Sequence, residues 1–485
     1  MLLSNLFDNA PEIDIDSLCN DSRLASKGCM FFCLEGIVTD GHKYIEEAIK
    51  KGAVCVVYNK EIVKMQNNVV YLKVDNVAAT LNRVCNRFYG CPTHKLKVVG
   101  VTGTNGKTVV SRVIAQIYNN YESCGYIGSL NTQYAENYYE SPLTTPDVIY
   151  LHSTAKDMVD ANVKVLSLEV SSHGLEQSRV DSIDFNIGIF TNISNDTLDY
   201  HGSLANYLKA KKKLFMLLKP DAIAVFNADD EKFLELVKDI KCDYLTYGID
   251  NKADFRATDI KLQANKTTFN LEYNEANFMI KTNFIGRSNV YNILAAIAGL
   301  VSLGLSIEEI MKHLVKLEKI SGRYEMIDRG QPFRIYVDFA RTVEGFRKIH
   351  EFARDITPKA KKIITLFGTP GRKDKQKRVK YGEICSEFSN MVILTEDDSR
   401  DESLRSIVDD IKKGINNVNH IFIEDRYDAI RQAIELANPN DTILILGKGD
   451  ENSILKEFGR EEWMGDSNAV VDILDRFYLG DEDNE

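Results

Sequence analysis

Apolar residues occur along the chain in short runs separated by amphipathic stretches. The runs at 164–170, 185–191 and 222–227 have the length of strands, whereas residues 109–117 carry apolar side chains at the three-to-four spacing of a helix. Such strand-like and helical segments alternate as far as about residue 324. The alternation predicts a mostly parallel sheet covered by helices in the middle of the chain.

The last third of the chain continues the alternation and adds polar loops at strand ends. Strands are predicted at 334–338, 362–367, 391–395, 420–424 and 442–446, with helices such as 403–414 and 426–437 between them. Polar loops at 368–374, 396–401 and 447–451 follow directly on three of these strands. Because ligands of open α/β sheets bind outside the carboxyl ends of strands, the loops are candidate binding sites, with plain turns as the alternative.

The first part of the chain, to about residue 92, mixes short strands with a helix at 44–51 and predicts a small α/β unit. Proline in Cys91-Pro92-Thr93 suggests a linker after it, since proline interrupts both helices and ladders. At 485 residues the chain is too long for one core. The sequence therefore predicts an α/β protein of three domains, at 1–92, 93–324 and 325–485.

Composition narrows the class of protein. Hydrophobic residues make up 44% and charged residues 27%, which is ordinary for a soluble globular protein, and no apolar run approaches the ~20 residues of a membrane span. The N-terminus has no secretory signal pattern, and nine scattered cysteines without CxxC pairs indicate buried free thiols in a reducing cytoplasm. A net charge of −11 argues against nucleic acid as the main partner. We expect a cytoplasmic monomer that acts on small molecules, with a solvated acidic tail at 480–485.

A glycine-rich loop gives the strongest chemical signal. Thr102-Gly103-Thr104-Asn105-Gly106-Lys107-Thr108 stands between a strand-like run at 96–101 and the helix at 109–117. In such a loop backbone N–H groups cradle phosphates, Lys107 reaches the β- and γ-phosphates, and the Thr108 hydroxyl ligates Mg²⁺. The strict eight-residue pattern has glycine where this chain has Val101, so the loop is a shorter variant. A chance glycine-rich turn is the alternative.

Three further features have a structural and a functional interpretation. Glu169, at the end of an apolar run, is suited to bind Mg²⁺ directly or through water, although a lone glutamate there is more often structural. His201 is a turn or core histidine on residue chemistry alone, because Mg²⁺ prefers oxygen. The lysine cluster at 209–213 is typical of a solvated helix face, and the alternative is a site for anionic phosphates or carboxylates.

Together these segments resemble the Mur ligase family, most closely its MurE branch, in order along the whole chain. Asp21-Ser22-Arg23, Gly28, the run 31–36 and Asp40-Gly41-His42 are similar to the family's UDP-binding domain. The phosphate loop matches TGTNGKT, Thr144-Thr145-Pro146 matches the TTP substrate loop, and 169–180 matches EVSSHGL…Q…RV. Segments 286–296 and 322–325 resemble GxxNVYNxLAA and the GRxE junction.

The resemblance implies an ATP-dependent ligase that adds the third amino acid to UDP-N-acetylmuramoyl-L-Ala-D-Glu in peptidoglycan synthesis. It implies that the nucleotide is held by Gly103, Thr104, Asn105, Gly106, Lys107, Thr108, Asn292, Arg323 and Asp338. It implies two Mg²⁺ sites held by Thr108, Glu169, His201 and a carbamylated Lys211, which replaces the core interpretation of His201. Lys211 is chosen by register, because Tyr207 and Ala210 align with the family's YxxA.

The same resemblance places the other substrates. The nucleotide-linked dipeptide is expected to contact Ser22, Asp40, His42, Thr144, Thr145, Ser171, Gln177 and Arg179. The incoming amino acid is expected to contact Arg378, Asp398, Arg400, Gly447 and Glu451. The γ-phosphoryl group of ATP would pass to the D-Glu carboxylate, and the amine would attack the acyl phosphate, with Lys107 and Mg²⁺ stabilising the developing charge. Domain closure would bring the amino-acid site against the phosphate loop.

The chain departs from the family pattern mainly in its last third. DYAHT appears as Asp338-Phe339-Ala340-Arg341-Thr342, GKGHE as Gly447-Lys448-Gly449-Asp450-Glu451, and GCGGDRDxGKR as 368–378 with Pro370 and Arg372. DHLDYHG, in the middle domain, appears at 196–202 with Thr197. These changes leave two alternatives to a MurE-type ligase: a divergent paralogue for another amino acid or precursor, and a muramoyl-peptide-binding protein with little ligase activity.

The amino-acid motif is also altered. Branch members that use meso-diaminopimelate carry DNPR, where this chain has Asp397-Asp398-Ser399-Arg400. Arg400 favours a substrate with a distal carboxylate, because arginine captures carboxylates in a bidentate manner. Asp398 instead favours a bare ammonium, as on lysine. We therefore expect meso-diaminopimelate, with L-lysine as the alternative.

Overall fold

The structure is a computed structural model, and it describes residues 1–36, 39–196 and 198–478. Thr197, the side chains of Leu198 and Asp199, and the acidic tail at 480–485 therefore lie outside the described part of the chain. The described elements form three main sheets, which lie within residues 17–73, 97–282 and 325–446. The mixed α/β class predicted from the sequence is confirmed. The domain bounds at 92/93 and 324/325 stay a prediction.

The first sheet has four parallel strands in sequence order, with apolar clusters beneath its helices. Its strands are β1 (Ser17–Cys19), β2 (Cys29–Phe32), β3 (Cys55–Tyr58) and β4 (Val70–Lys73), and its helices are α1 (Ile45–Lys50) and α2 (Val77–Phe88). A left-handed residue, Cys91 with φ of 53°, and a 3₁₀ turn at Pro92–Lys95 lead out of this unit. Pro92 begins this 3₁₀ turn, and the linker predicted at 91–93 stays a prediction.

The second sheet has eleven strands, of which the inner seven, from β13 to β6 in spatial order, run parallel to their neighbours. The strands are β5 (Lys97–Thr102), β6 (Cys124–Ile127), β7 (Thr132–Tyr134), β8 (Asn137–Tyr139), β9 (Val165–Glu169), β10 (Phe185–Phe190), β11 (Ile223–Asn227), β12 (Asp243–Gly248), β13 (Phe255–Leu262), β14 (Thr267–Tyr273) and β15 (Ala276–Thr282). Their order is β15-β14-β13-β12-β11-β10-β5-β9-β6-β7-β8, with antiparallel hairpins at both edges.

Helices cover both faces of this sheet. They are α3 (Lys107–Tyr118), α4 (Val148–Asp160), α5 (Ser172–Glu176), α6 (Leu198–His201), α7 (Leu204–Met216), α8 (Phe233–Val237), α9 (Arg287–Ser302) and α10 (Ile307–Leu314). One apolar layer joins the sheet to α3, α9 and α10, and the other joins it to α4 and α7. Strand β5 lies inside the sheet, between β10 and β9, so the phosphate loop leaves an interior strand.

The third sheet places three loops at one edge. Its strands are β16 (Glu325–Ile327), β17 (Arg334–Asp338), β18 (Ile363–Phe367), β19 (Met391–Leu394), β20 (Asn419–Phe422) and β21 (Thr442–Leu446), in the order β16-β17-β21-β18-β19-β20. Its helices are α11 (Val343–Ile356), α12 (Lys375–Phe388), α13 (Leu404–Lys412), α14 (Arg426–Glu435) and α15 (Asp466–Ile473), followed by a π-helical turn at Leu474–Tyr478. A hairpin of β22 (Ser453–Lys456) and β23 (Gly459–Glu462) stands apart. Because β21, β18 and β19 are adjacent and parallel, the three predicted polar loops meet at their carboxyl ends.

Candidate active site

The glycine-rich loop joins the end of β5 to the start of α3, as predicted. A Cβ on Gly103 would lie 1.8 Å from Thr191 Oγ1, and a Cβ on Gly106, where φ is 90°, would lie 2.3 Å from Asn292 Oδ1. Only glycine therefore fits at these two positions. Lys107 folds over the loop and donates from Nζ to the carbonyl oxygens of Gly103 and Thr104, each at 3.0 Å. Burial lowers the pKa of Lys107.

Glu169 is fully buried at the end of β9, beside the loop. Its carboxylate accepts hydrogen bonds from Tyr126 Oη at 2.5 Å, from the backbone N–H of Ser129 at 3.0 Å and from Thr108 Oγ1 at 3.0 Å. The Thr108 and Glu169 oxygens thus meet at the loop, and this set of oxygen donors fits Mg²⁺. Tyr126 and Ser129 could not be identified from the sequence, because each contacts Glu169 across some forty residues.

Lys211 and His201 both contact Tyr207. The Lys211 ammonium lies 4.3 Å from the centre of the Tyr207 ring, and the His201 ring centre lies 5.1 Å from it. The Tyr207 hydroxyl is 3.2 Å from Thr104 Oγ1, so this group lies directly behind the phosphate loop. His201 Nε2 is also 3.0 Å from Ser172 Oγ.

The lysine cluster on α7 divides into a buried and an exposed part. Lys212 and Lys213 form surface ion pairs with Asp239 and Glu176, as a solvated face predicts. Lys211 is only 1% exposed. Burial, together with the charge of Lys107, lowers the pKa of Lys211 well below its ordinary value. This favours a neutral amine, which is the form that reacts with carbon dioxide to give a carbamate.

The residues expected to hold the muramoyl-dipeptide in the second domain form one connected group. Thr145 Oγ1 donates to the Glu169 carbonyl oxygen and accepts from the Ser171 N–H, both at 2.8 Å. Arg179 bonds the Thr145 carbonyl oxygen at 2.7 Å and Gln177 Oε1 at 2.5 Å. The remaining member, Thr144, lies 3.0 Å from Ser129 through its hydroxyl.

The first-domain residues of the same expected set lie on another sheet and have partners of their own. Ser22 is buried and donates to Glu47 at 2.9 Å. Asp40 accepts from His42 Nδ1 at 2.6 Å and from Lys60 at 2.7 Å. These hydrogen bonds, that of Lys60 foremost, hold the pKa of Asp40 well below its usual range. Their contact with a uridine nucleotide stays a prediction.

A cavity of about 410 Å³ opens above the phosphate loop. All the expected nucleotide contacts except Gly103 line it, including Asn292, Arg323 and Asp338 from later in the chain. Asp338 Oδ2 accepts from the Tyr324 N–H at 2.7 Å, and burial raises the pKa of Asp338. The cavity therefore brings together residues that the sequence places more than 200 positions apart.

A second cavity, of about 290 Å³, lies among the three polar loops of the third sheet. Of the five residues expected to contact the amino acid, Arg378, Asp398, Arg400 and Gly447 line it and Glu451 does not. The two cavities adjoin, because four residues line both. They are Asp196, Phe339, Ala340 and Arg341.

Charged groups are concentrated beside the second cavity. Carboxylate oxygens of Asp397, Asp398 and Glu451 all lie within 4.8 Å of one another. Lys448 Nζ lies 2.8 Å from Asp398 and 2.6 Å from Glu451, and Arg341 Nη2 lies 2.6 Å from Glu451 and 3.3 Å from Asp397. Three carboxylates thus face two cations. Burial raises the pKa of Glu451. Burial also acts on Asp398, but the contacts with Lys448, the Leu455 N–H and Arg341 together outweigh it and lower the pKa of Asp398.

Three buried atoms beside the second cavity have no hydrogen-bond partner among the described residues: Oδ2 of Asp397, Nε of Arg400 and Oγ1 of Thr369. The Asp397 oxygen is an acceptor, the Arg400 nitrogen is a donor and the Thr369 hydroxyl can be either, and all three residues line the second cavity. Arg378 differs, because its guanidinium is bonded to Glu402, Asp410 and the Pro370 carbonyl oxygen. Its contact with a substrate stays a prediction.

The altered positions of the third domain contact one another. Phe339 lies between two guanidinium groups, those of Arg323 and Arg341, each 4.6 Å from the ring centre. Arg323 Nη1 donates to Asp450 at 2.6 Å. The changes at Phe339, Arg341 and Asp450 are therefore parts of one connected arrangement. The altered Arg372 stands apart at the surface, paired with Asp401.

Two polar contacts join the second and third domains at the site. Lys377 bonds Asp196 at 2.6 Å, and Thr342 Oγ1 bonds Asn105 Oδ1 of the phosphate loop at 3.1 Å. Over the part of the chain that the structure describes, no helix is long and apolar enough to cross a membrane.

Comparison with known proteins agrees with this arrangement. Family models match residues 14–89 (Mur ligase family, catalytic domain), 101–300 (Mur ligase middle domain) and 322–449 (Mur ligase, glutamate ligase domain). A UDP-N-acetylmuramoyl-L-alanyl-D-glutamate–2,6-diaminopimelate ligase of Listeria monocytogenes is 36% identical over 448 residues, or 91% of this chain and 90% of the relative. The corresponding ligase of Clostridium tetani is 35% identical and covers 98% of each chain.

Solved structures give the same result. A structure of a UDP-N-acetylmuramoyl-L-alanyl-D-glutamate–2,6-diaminopimelate ligase is 28% identical, with a TM-score of 0.70 and coverage of 98% of this chain and 99% of that one. MurF from Acinetobacter baumannii is 18% identical over 97% of this chain and 95% of its own, with a TM-score of 0.68, and shares the fold. By its sequence and its fold, the chain belongs to the Mur ligase family.

Proposed function

We propose that this chain is an ATP-dependent ligase that joins meso-diaminopimelate to UDP-N-acetylmuramoyl-L-Ala-D-Glu. The observation that carries the proposal is the pair of adjoining cavities. One is lined by the phosphate loop, and the other by complementary unpartnered groups on Asp397 and Arg400. A ligase that works through an acyl phosphate needs this arrangement, because the activated carboxyl group must form beside ATP and then meet the amine.

The reaction proceeds in two steps. An oxygen of the D-Glu carboxylate forms a bond to the γ-phosphorus of ATP, and ADP leaves with the electron pair of the broken P–O bond. The amine nitrogen then bonds to the carbonyl carbon, and phosphate leaves with the electron pair of the C–O bond. The ammonium loses two protons on the way to the amide, one to water and one to the departing phosphate.

The residues of the second domain orient the first step. Lys107 already lies over the loop and can turn from the Gly103 and Thr104 carbonyl oxygens to the phosphates. Thr108 and Glu169 would hold one Mg²⁺, and His201 with a carbamate on Lys211 would hold a second. When bound, Mg²⁺ neutralises charge that develops on the phosphoryl oxygens.

The charges of the second cavity favour a substrate with a distal carboxylate. Asp398, which the sequence alone associates with a bare ammonium, is already paired with Lys448 and with the Leu455 N–H at 3.0 Å. The unpartnered Arg400 Nε is a donor for a carboxylate, and the surplus negative charge of the cluster suits an ammonium. An amino acid with both groups at its distal end, such as meso-diaminopimelate, satisfies both. L-lysine would satisfy only the acidic cluster.

The nine cysteines are free thiols, which suits a reducing compartment. We place the enzyme in the cytoplasm as a monomer that acts on small molecules.

The test is phosphate release from ATP, Mg²⁺ and UDP-N-acetylmuramoyl-L-Ala-D-Glu with single amino acids, with the product identified by mass. Release with meso-diaminopimelate and much less with L-lysine is the expected result. Equal release with both would remove the assigned role of Arg400. No phosphate release with any amino acid, when the nucleotide-linked dipeptide still binds, would overturn the ligase proposal and favour a binding protein.

A further inference from the structure

Arg341 occupies the junction of the two cavities. It stands three residues after the end of β17, and it is one of the four residues that line both cavities. The next residue, Thr342, bonds Asn105 of the phosphate loop at 3.1 Å. The Arg341 side chain therefore lies between the place where ATP is expected and the place where the amine is expected.

The guanidinium of Arg341 is held on three sides. Nε donates to the Gly447 carbonyl oxygen at 2.9 Å, Nη2 donates to Glu451 at 2.6 Å, and the plane rests on Phe339. The hydroxyl of Tyr381 bonds the Arg341 carbonyl oxygen at 2.8 Å and fixes the backbone. A guanidinium held in this way has little conformational entropy left to lose when it binds a further group.

One end of this guanidinium is still available. The described residues give Nη1 no hydrogen-bond partner, and the side chain is 26% exposed, at the junction of the cavities. A free N–H pair at a fixed position beside both cavities is suited to bind the oxygens of a group that forms there. Under the proposed function, that group is the acyl phosphate and the oxyanion that follows attack by the amine.

We propose that Arg341 is a catalytic residue of this ligase, which donates from Nη1 to the oxygens of the reacting carboxyl–phosphoryl group. This rests on the proposed function and assigns a role to a residue that replaces a histidine of the family pattern. When the amine attacks, the carbonyl electron pair moves to oxygen, and Arg341 stabilises that negative charge until the phosphate leaves. Arg341 exchanges no proton and forms no covalent bond. Unlike histidine, it keeps its charge throughout the working pH range.

The experiment compares Arg341→Ala, Arg341→Lys and Arg341→His in the phosphate-release assay, with kcat and the KM values for ATP, the nucleotide-linked dipeptide and the amino acid measured from pH 6 to pH 9. Arg347→Ala is the matched control, because Arg347 lies nearby on α11 but forms a surface pair with Glu387. Calorimetric titration of each variant with ADP shows that it is folded. Loss of an oxyanion donor lowers kcat by ~10²–10³-fold, so we expect that loss in Arg341→Ala and a smaller one in Arg341→Lys.

The pH profile separates a catalytic from a merely structural role. In Arg341→His we expect kcat to fall as the pH rises past the imidazole pKa, whose ordinary value is ~6.5, and the wild type to lack this dependence. Unchanged kcat in Arg341→Ala would overturn the role. So would a loss confined to the KM of the amino acid, or an Arg341→His profile parallel to the wild type. A wild type that is silent with every amino acid would overturn the proposed function itself, and this role with it.

Discussion

The phosphate loop and the second cavity are both polar sites at strand ends, but different interactions hold their residues in place. Around the loop, Lys107 is bonded to carbonyl oxygens and Glu169 to neutral hydroxyl and N–H donors. Around the cavity, Arg341 and Lys448 are bonded to carboxylates from distant parts of the chain. A site made by backbone geometry depends on fixed residue types. A site made by ion pairs tolerates a change when the new group finds a partner, as Asp450, which departs from the family pattern, pairs with Arg323.

The largest effect is expected on the loop side. Lys211→Ala should lower kcat by about 10³-fold or more, because the oxygen ligand that a carbamate would supply to the metal is lost. A small carboxylate such as acetate, added in solution, should restore part of the activity. The measurement is phosphate release with and without acetate.

Lys213→Ala is the control for this experiment, because Lys213 is on the same helix but forms a surface pair with Glu176. Full activity in Lys211→Ala would show that no carbamate acts at this position. It would also contradict the comparison above, in which the residues around the loop cannot be replaced whereas those around the second cavity can.

A smaller effect is expected in the cavity. Arg400→Ala should raise the KM for meso-diaminopimelate by about 10- to 100-fold, since a charge-assisted hydrogen bond contributes ~1.5–3 kcal/mol. The KM for L-lysine should change far less, because lysine has no distal carboxylate. Steady-state kinetics with both amino acids measure the difference.

Arg372→Ala provides the comparison for Arg400→Ala. Arg372 also has a positive φ and stands on a neighbouring loop, but its side chain is 65% exposed and paired with Asp401. Arg372→Ala should leave the KM values for meso-diaminopimelate and for L-lysine unchanged. Equal effects of Arg400→Ala on the two amino acids would show that Arg400 is not the carboxylate contact.

The smallest effect is expected on stability, at the buried His350 of the third domain. Burial lowers the pKa of His350 to about 4 from 6.5, and its ring bonds the Phe346 carbonyl oxygen at 2.7 Å and Thr365 at 3.0 Å. Between pH 6.5 and 4 the histidine is protonated in the unfolded chain but still neutral in the folded one. The contribution of His350 to the free energy of unfolding is therefore complete above about pH 6.5 and is lost as the pH falls towards 4. The slope is ~1.4 kcal/mol per pH unit for one group.

Replacement by glutamine, His350→Gln, keeps a neutral polar side chain. It should flatten the acid limb of the stability profile, that is, the fall in the free energy of unfolding between pH 6.5 and 4. The change in stability with pH is measured from urea midpoints, followed by circular dichroism at pH 7, 6 and 5. His94→Gln, at an exposed site, is the control. An unchanged acid limb in His350→Gln would place the acid sensitivity elsewhere, for example at His152, whose pKa burial also lowers to about 4.

Much of the fold could be predicted because parallel strands buried on both faces are continuous apolar runs. The strands β17 and β21 were predicted to the residue, and β9, β10 and β11 to within one or two residues. The strands β13 to β15, which pair with one another in antiparallel fashion, were not predicted, because their burial alternates and their apolar content is low. The turn between β14 and β15 has Asn274 and Glu275 at positive φ, without the glycine that usually marks such a hairpin.

The candidate site shows the same division. The loop and Glu169 could be predicted, since the residues that matter are neighbours in the sequence or end an apolar strand. The pair of Arg323 with Asp450 could not, because 127 positions separate them and each alone is an ordinary surface charge. Asp397 and Lys448 stand inside quoted motifs, yet only the structure reveals that they face each other across the strand ends.

Arg400 has a left-handed backbone, with φ of 55°. For a residue with a Cβ this conformation costs about 1–2 kcal/mol, a cost that glycine does not bear. Laboratory evolution towards heat resistance alone would therefore drift towards glycine at this position and would discard the guanidinium with it. Under the proposed function, selection for activity with the distal carboxylate would restore the arginine, so heat resistance and substrate recognition would compete at this one position.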